Sequence, residues 1–261
     1  MKIYQVDAFT DQVFCGNPAA VCVLEEQRED QWLQSVAAEM NLSETAFLWR
    51  MGNQWRLRWF TPTVEVDLCG HATLASAHML WELGYEERRN IVRFETRSGL
   101  LRASSDGEWI ELDFPSEPPS DSAAPEKLLE ALKVSPRYSG KNRFDFLLEL
   151  DSEEEVRKLA PDYTLLRQIP ARGIIVTSIS NSGNYDFLSR FFAPSCGIDE
   201  DPVTGSAHCC LGPYWQRRTG RDSFTAYQAS KRGGYLRVRV GKRRTYISGK
   251  AITVFIGDFI D

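Results

Sequence analysis

Hydrophobic and polar positions along the chain fall into short runs of two kinds. Stretches rich in β-branched and aromatic residues, "KIYQVDAF", "AAVCVLE", "TAFLWRM", "WRLRWFTP", "IVRFETRSGLLRASS" and "EWIELDFP", predict strands. Between them, "REDQWLQSVAAEMN" places Trp32, Leu33, Val36, Ala37 and Met40 at helical spacing, the apolar face of an amphipathic helix. "DLCGHATLASAHML" (67–80) has a different pattern, because the segment Gly70 to Trp81 carries no Asp, Glu, Lys or Arg. A helix that is apolar on every side is expected to be buried.

The Pro- and Ser-rich "PSEPPSDSAAP" (115–125) cannot easily continue a strand or a helix and reads as a linker. It divides the chain into expected lobes 1–117 and 118–261, with the C-terminal strand free to pack back on the first lobe. After the linker the pattern recurs, with helices "EKLLEALKV" and "EEEVRKLA" and strands "RFDFLLEL", "GIIVTSI" and "YDFLSRFFAP". A second charge-free helix follows, then strand runs "TAYQASKRGGYLRVRV" and "YISGKAITVFIGDF". "RWFTP" (58–62) is matched by "RFFAP" (190–194). Gly70, His71 and Ala72 align with Gly205, Ser206 and Ala207 at an offset of 135 residues, which also relates Leu101 and Arg102 to Leu236 and Arg237. Shared order and a shared offset predict a duplication, and two similar lobes commonly face each other across a cleft.

Composition narrows the classes. A chain of 261 residues, 43% hydrophobic and 26% charged, can bury a sizeable core as one large domain or two smaller ones. Net charge of -5, with Lys and Arg scattered except for "GKRRTY" (241–246), leaves no basic stripe for a phosphate backbone, so a nucleic-acid partner is not expected. No stretch approaches the roughly 20 apolar residues of a membrane span, and the start lacks the pattern of a signal peptide, so a cytoplasmic protein is expected. Six unevenly spaced cysteines, including the adjacent Cys209 and Cys210, do not form a disulfide framework.

The helix starts carry the first candidate chemistry. First-turn N–H groups lack intrahelical partners, and Gly70 and Gly205 allow close approach of another group. Two such starts facing one cleft would clamp a carboxylate or phosphate, with His71 and Ser206 adding donors. Glu44, at the start of the apolar run in "NLSETAFL" (41–48), can be partly desolvated, which raises its pKa and suits it to take and return a proton. Asp201, in "DEDPVTGSAH" (199–208), precedes the second helix start. Each also has a purely structural reading: His71 as a cap or core histidine, Glu44 as a solvated strand-edge acid, Asp201 as a turn acid before Pro202.

Four ordered motifs, "VFCGNPAAV" (13–21), "NLSETAFL", "RWFTPTVEVDLCGHATLASAH" and "EDPVTGSAH", resemble those of the PhzF-like family, named for its phenazine-biosynthesis isomerase. The resemblance implies the diaminopimelate-epimerase fold: an α+β protein of two pseudo-symmetric lobes, each a sheet-rich barrel around a central helix, with the site between them. In the family's isomerase the Glu of "SET" moves a proton on a cyclohexadiene carboxylic acid without metal or organic cofactor. By that resemblance Glu44, His71 and Asp201 are the candidate catalytic residues. Asn17, Cys69, Gly70, Gly205 and Ser206 join His71 as candidate substrate contacts, and a homodimer is implied.

One departure matters. Diaminopimelate epimerases use one cysteine per lobe as acid and base, whereas here Cys69 precedes the first helix and Thr204 stands at the equivalent place before the second. A two-thiol racemase is therefore not supported. "TGSAH" lacks the G-x-S-x-G elbow of a hydrolase, and no Gly-rich phosphate loop occurs. His208, Cys209 and Cys210 are consecutive on a helix and point different ways, so no metal site is expected from them. The expectation is a cofactor-free and metal-free isomerase of a small, possibly cyclic, carboxylic acid. A non-catalytic acid-binding protein, or a racemase or epimerase of an amino-acid-like substrate, is the alternative.

Overall fold

Strands form wherever the β-branched runs occur, and turns divide the longer ones. A computed structural model describes residues 1–260. In chain order the elements begin with β1 (Lys2–Ala8), β2 (Asn17–Leu24), α1 (Asp30–Met40), β3 (Glu44–Met51), β4 (Gln54–Phe60), β5 (Glu65–Val66) and α2 (Gly70–Glu82). They continue with β6 (Val92–Thr96), β7 (Gly99–Asp106), β8 (Trp109–Pro115), β9 (Ser120–Asp121), α3 (Glu126–Leu132), β10 (Tyr138–Lys141), β11 (Asp145–Glu149), α4 (Glu153–Lys158) and α5 (Tyr163–Leu166). The last are β12 (Gly173–Ile179), β13 (Phe187–Phe192), α6 (Gly205–Thr219), β14 (Ser223–Gln228), β15 (Gly234–Val240), β16 (Arg244–Gly249) and β17 (Ala251–Asp258). The fold is α+β and rich in sheet. "IVRFETRSGLLRASS" folds into a hairpin of β6 and β7, because Gly99 turns the chain at φ 96°. Among the described residues no helix is long and apolar enough to cross a membrane.

Two compact units emerge, one of Met1–Phe114 with Ser248 onward, the other of Pro115–Ile247. In the first, β1 pairs antiparallel with β2 and with β17. The connection through α1 makes β2 and β3 parallel, with Ala19 opposite Glu44. β3 and β4 are antiparallel, the connection through α2 sets β4 parallel to β6, and β6 pairs antiparallel with β7.

The second unit repeats this plan. β10 and β11 are antiparallel, and β11 is parallel to β12 across α4 and α5. β12 and β13 are antiparallel, β13 is parallel to β14 across α6, and β14 pairs antiparallel with β15. The stretch 115–125 is not plain coil, since its β9 pairs with β10.

The repeat extends to side chains. Arg58 of β4 donates from Nε and Nη2 to the two carboxylate oxygens of Glu65 at 2.8 and 2.7 Å, and its guanidinium lies 5.0 Å from the ring centre of Phe60. Arg190 of β13 does the same with Glu200, at 2.7 and 2.9 Å, and lies 4.9 Å from the ring centre of Phe192. A forked ion pair over an aromatic ring, rebuilt in each unit from "RWF" and "RFF", accounts for the sequence match as a shared structural device.

Each charge-free helix is the core of its unit. From His71 to Trp81 every residue of α2 is buried, and the helix packs against β1, β2, β3 and β17. α6 is buried from Ala207 to Trp215 and packs against β14 and β15, with Gly212 facing Val238 and Val240 so closely that a Cβ would lie 2.8 and 3.0 Å from them. Pro213 inside α6 has no N–H to donate to the carbonyl of Cys209, and the Glu117 N–H donates to that carbonyl instead, at 2.9 Å.

Candidate functional site

Within the first unit, three chain ends meet. β2 and β3 run parallel, so their first residues, Asn17 and Glu44, lie at the same end of the sheet, and α2 starts there with Cys69 as N-cap. His71 is the hub. Its Nε2 lies 3.2 Å from Glu44 Oε2 and 3.3 Å from Ser43 Oγ, while its Nδ1 lies 3.2 Å from Asn17 Nδ2 and 3.5 Å from Cys69 Sγ. The amide nitrogen of Asn17 can only donate, so with that nitrogen facing the ring Nδ1 accepts, and the neutral ring carries its proton on Nε2, towards Glu44 and Ser43.

Glu44 is the chemically unusual member. Its side chain is 13% exposed, and burial pushes its pKa above the ordinary carboxylate range, offset only in part by hydrogen bonds from Ser43 and Cys69. Although Oε2 lies 3.2 Å from His71 Nε2, this buried oxygen has no hydrogen-bond partner among the described residues. A carboxylate held this way costs the fold stability when ionised. The folded pKa lies above the unfolded one, so the native state binds more protons and stability falls as pH rises through that interval. Glu44→Gln is therefore expected to raise the melting temperature by a few degrees at neutral pH, with the gain shrinking on acidification; calorimetry across pH checks it.

The loop before β2 delivers Asn17. Asp7 Oδ2 accepts from the Phe14 N–H at 2.9 Å, and Gly16 follows at φ 67°, where a Cβ would stand 2.2 Å from the Ala8 carbonyl oxygen. Gly16→Ala should cost more than the about 1–2 kcal/mol of a left-handed L-residue, because the clash is with backbone. Chemical denaturation measures the loss.

The second unit holds the other candidates. Gly205 opens α6, Ser206 is half-buried beside it, and Thr204 is the N-cap. Neither Thr204 nor Cys69 caps its helix with a side-chain hydrogen bond, so both helix starts keep backbone donors that no cap side chain satisfies. Asp201 is 9% exposed and its Oδ2 accepts from the Thr204 hydroxyl, an interaction that fits its turn-acid reading. Gln228, which sequence reasoning missed, ties this start together. Its Oε1 accepts from the Thr204 N–H at 2.8 Å, and its Nε2 donates to the Asp201 carbonyl at 2.8 Å and to Thr204 Oγ1 at 3.2 Å. His208 is fully buried with Nδ1 2.8 Å from the Thr204 carbonyl, and burial lowers its pKa to about 4, so the ring is neutral.

Glu44, Cys69 and His71 each offer a donor atom, all within 4.8 Å of one another, and so form the group of described residues disposed to hold a metal ion. A surface cavity of about 390 Å³ lies elsewhere, lined by Arg56, Arg58 and Arg97 among others. Those arginines are already paired with Glu95, Glu65 and Asp30, which leaves little positive charge for a ligand.

Fold and site together define a class: a duplicated α+β protein with a buried acid–histidine pair at a helix start. The fold is shared with a hydroxyproline epimerase from Agrobacterium vitis at a TM-score of 0.65, with 14% identity over 98% of this chain and 91% of that one. The chain belongs to the phenazine biosynthesis-like (PhzC-PhzF) family, whose model matches residues 6–257. It is 57% identical to an uncharacterised isomerase of Halalkalibacterium halodurans over 99% of this chain and 98% of that protein. A solved PhzF-family structure from Enterococcus faecalis matches with a TM-score of 0.95 and 41% identity, covering 99% of each chain.

Proposed function

We propose that this protein is an isomerase that moves a proton on a small carboxylic acid, with Glu44 taking up and returning the proton. The observation that carries the reading is the state of that carboxylate, buried, with raised pKa and with one oxygen lacking a hydrogen-bond partner. Burial that raises the pKa makes Glu44 a stronger base than an exposed carboxylate, as uptake and return of a proton require. Relatives named as isomerases lend support.

In the proposed reaction, Glu44 removes a proton from a carbon of the substrate. The C–H electron pair passes into the conjugated carboxylate, whose developing charge is met by the backbone N–H groups at the start of α2, and the protonated Glu44 then returns its proton to a different carbon. His71, with its proton on Nε2, orients Glu44 and the bound acid; Asn17 and Cys69 hold the ring. No cofactor enters the scheme. Asp201, Gly205 and Ser206 are assigned to substrate binding on the strength of the family motif and the internal repeat. Thr204 in place of a second thiol argues against amino-acid racemisation by paired cysteines.

A thermal-shift screen of small carboxylic acids tests the reading. Binders should raise the melting temperature by mass action in both the wild type and Glu44→Gln, while only the wild type should convert them. Acids that bind both proteins and are converted by neither would favour the non-catalytic acid-binding alternative.

A further inference from the structure

We propose that Glu44, Cys69 and His71 also form a binding site for a soft divalent cation, best matched by zinc, which occupies the cluster as an inhibitor. The three side chains present a carboxylate oxygen, a thiol sulfur and an imidazole nitrogen within 4.8 Å of one another. His71 Nε2 is 3.2 Å from Glu44 Oε2 and 3.9 Å from Cys69 Sγ. Around tetrahedral zinc, with bonds of about 2.0–2.3 Å, nitrogen–oxygen and nitrogen–sulfur edges come to about 3.3 and 3.6 Å. Those two edges already lie within a few tenths of an ångström of these values, while the sulfur, now 3.5 Å from Nδ1, must swing towards the Nε2 side for all three donors to share one ion.

The donor set decides which ion. Thiolate and imidazole select zinc-like metals over magnesium or calcium, which favour oxygen alone. Three protein ligands leave a fourth position open to water or an anion. The surroundings also fit. A metal on Nε2 moves the ring proton to Nδ1, where Asn17 Nδ2 now stands 3.2 Å away. Reversal of that amide places its oxygen there as acceptor, the kind of support that ligating histidines usually have. The buried Glu44 Oε2, without a hydrogen-bond partner, gains a cation to face. Inhibition follows because the ion would hold the same oxygen that the proposed reaction uses as base. The binding claim stands on this geometry, and only its inhibitory consequence rests on the proton-transfer reading.

The test uses full-length protein stripped with a chelator and titrated with zinc by calorimetry, and with cobalt by absorption. One equivalent per chain and a thiolate-to-cobalt charge-transfer band are expected. Cys69→Ser should abolish the band and weaken zinc binding more than about 100-fold, beyond the loss of an outer hydrogen-bond partner. Glu44→Gln should weaken it by at least about tenfold. Cys196→Ser, which removes an exposed thiol, should bind as the wild type does. If Cys69→Ser fails to fold, zinc protection of wild-type Cys69 from iodoacetamide, mapped by mass spectrometry, decides the same question. Absent saturable binding, binding indifferent to Cys69→Ser, unprotected Cys69, or binding lost in Cys196→Ser would overturn the site. Zinc binding without proton exchange on any acid would overturn the isomerase reading alone, and turnover without zinc binding would overturn the cation site alone.

Discussion

Glu44→Gln is expected to lower turnover by a factor of about 100 to 10,000 while substrate binding survives. The amide keeps the size of the side chain and its hydrogen-bonding reach but cannot accept a proton. The position itself tolerates a neutral group, since burial already disfavours the charged form of Glu44. Loss of kcat with little change in KM is thus the signature, and the folded protein should be more heat-stable at neutral pH. Cys69→Ser provides the contrast. The thiol lies 3.5 Å from His71 Nδ1 and helps hold the ring, a role a hydroxyl can partly fill, so turnover should fall no more than about tenfold. A thiol mechanism predicts the reverse order of the two variants.

The second large effect concerns the helices at the centre of each unit. Ala75 in α2 and Cys210 in α6 are both fully buried. Ala75→Glu or Cys210→Glu would place a carboxylate in a packed core. Burying such a group, or neutralising it by protonation, together with overpacking, should cost about 4 kcal/mol or more. Against a total stability of about 5–15 kcal/mol, most of the folded population is then at risk at physiological temperature. Urea denaturation of each variant reads the loss directly. Unchanged midpoints in both would remove the central-helix account.

These helices were the most legible part of the sequence, because freedom from charge on every side leaves burial as the one stable environment. The duplication was legible too, through "RWFTP" and "RFFAP", but the acids that complete those devices were not. Glu65 and Glu200 are ordinary acids until the fold brings them against Arg58 and Arg190. The site divides in the same way. His71 was marked by its place at a helix start, whereas its contact with Asn17 spans 54 residues of sequence and depends on α2 packing against β2. Desolvation of Glu44 was signalled by its place at the head of the apolar run "TAFL", and the pairing of β3 with β2 and β4 completes it. Gln228 carried no signal at all. Its role comes from the last residue of β14 meeting the start of α6, which a strand-like run "TAYQ" does not announce.

The central claim is that Glu44 exchanges a proton with a carbon of a bound acid. Incubating the protein in deuterated water with acids selected by thermal shift, and following their carbon-bound protons by NMR, tests it most directly. The account predicts deuterium entering one carbon position with wild-type protein and at a rate lowered by about 100-fold or more with Glu44→Gln. Equal incorporation by wild type and Glu44→Gln would contradict it.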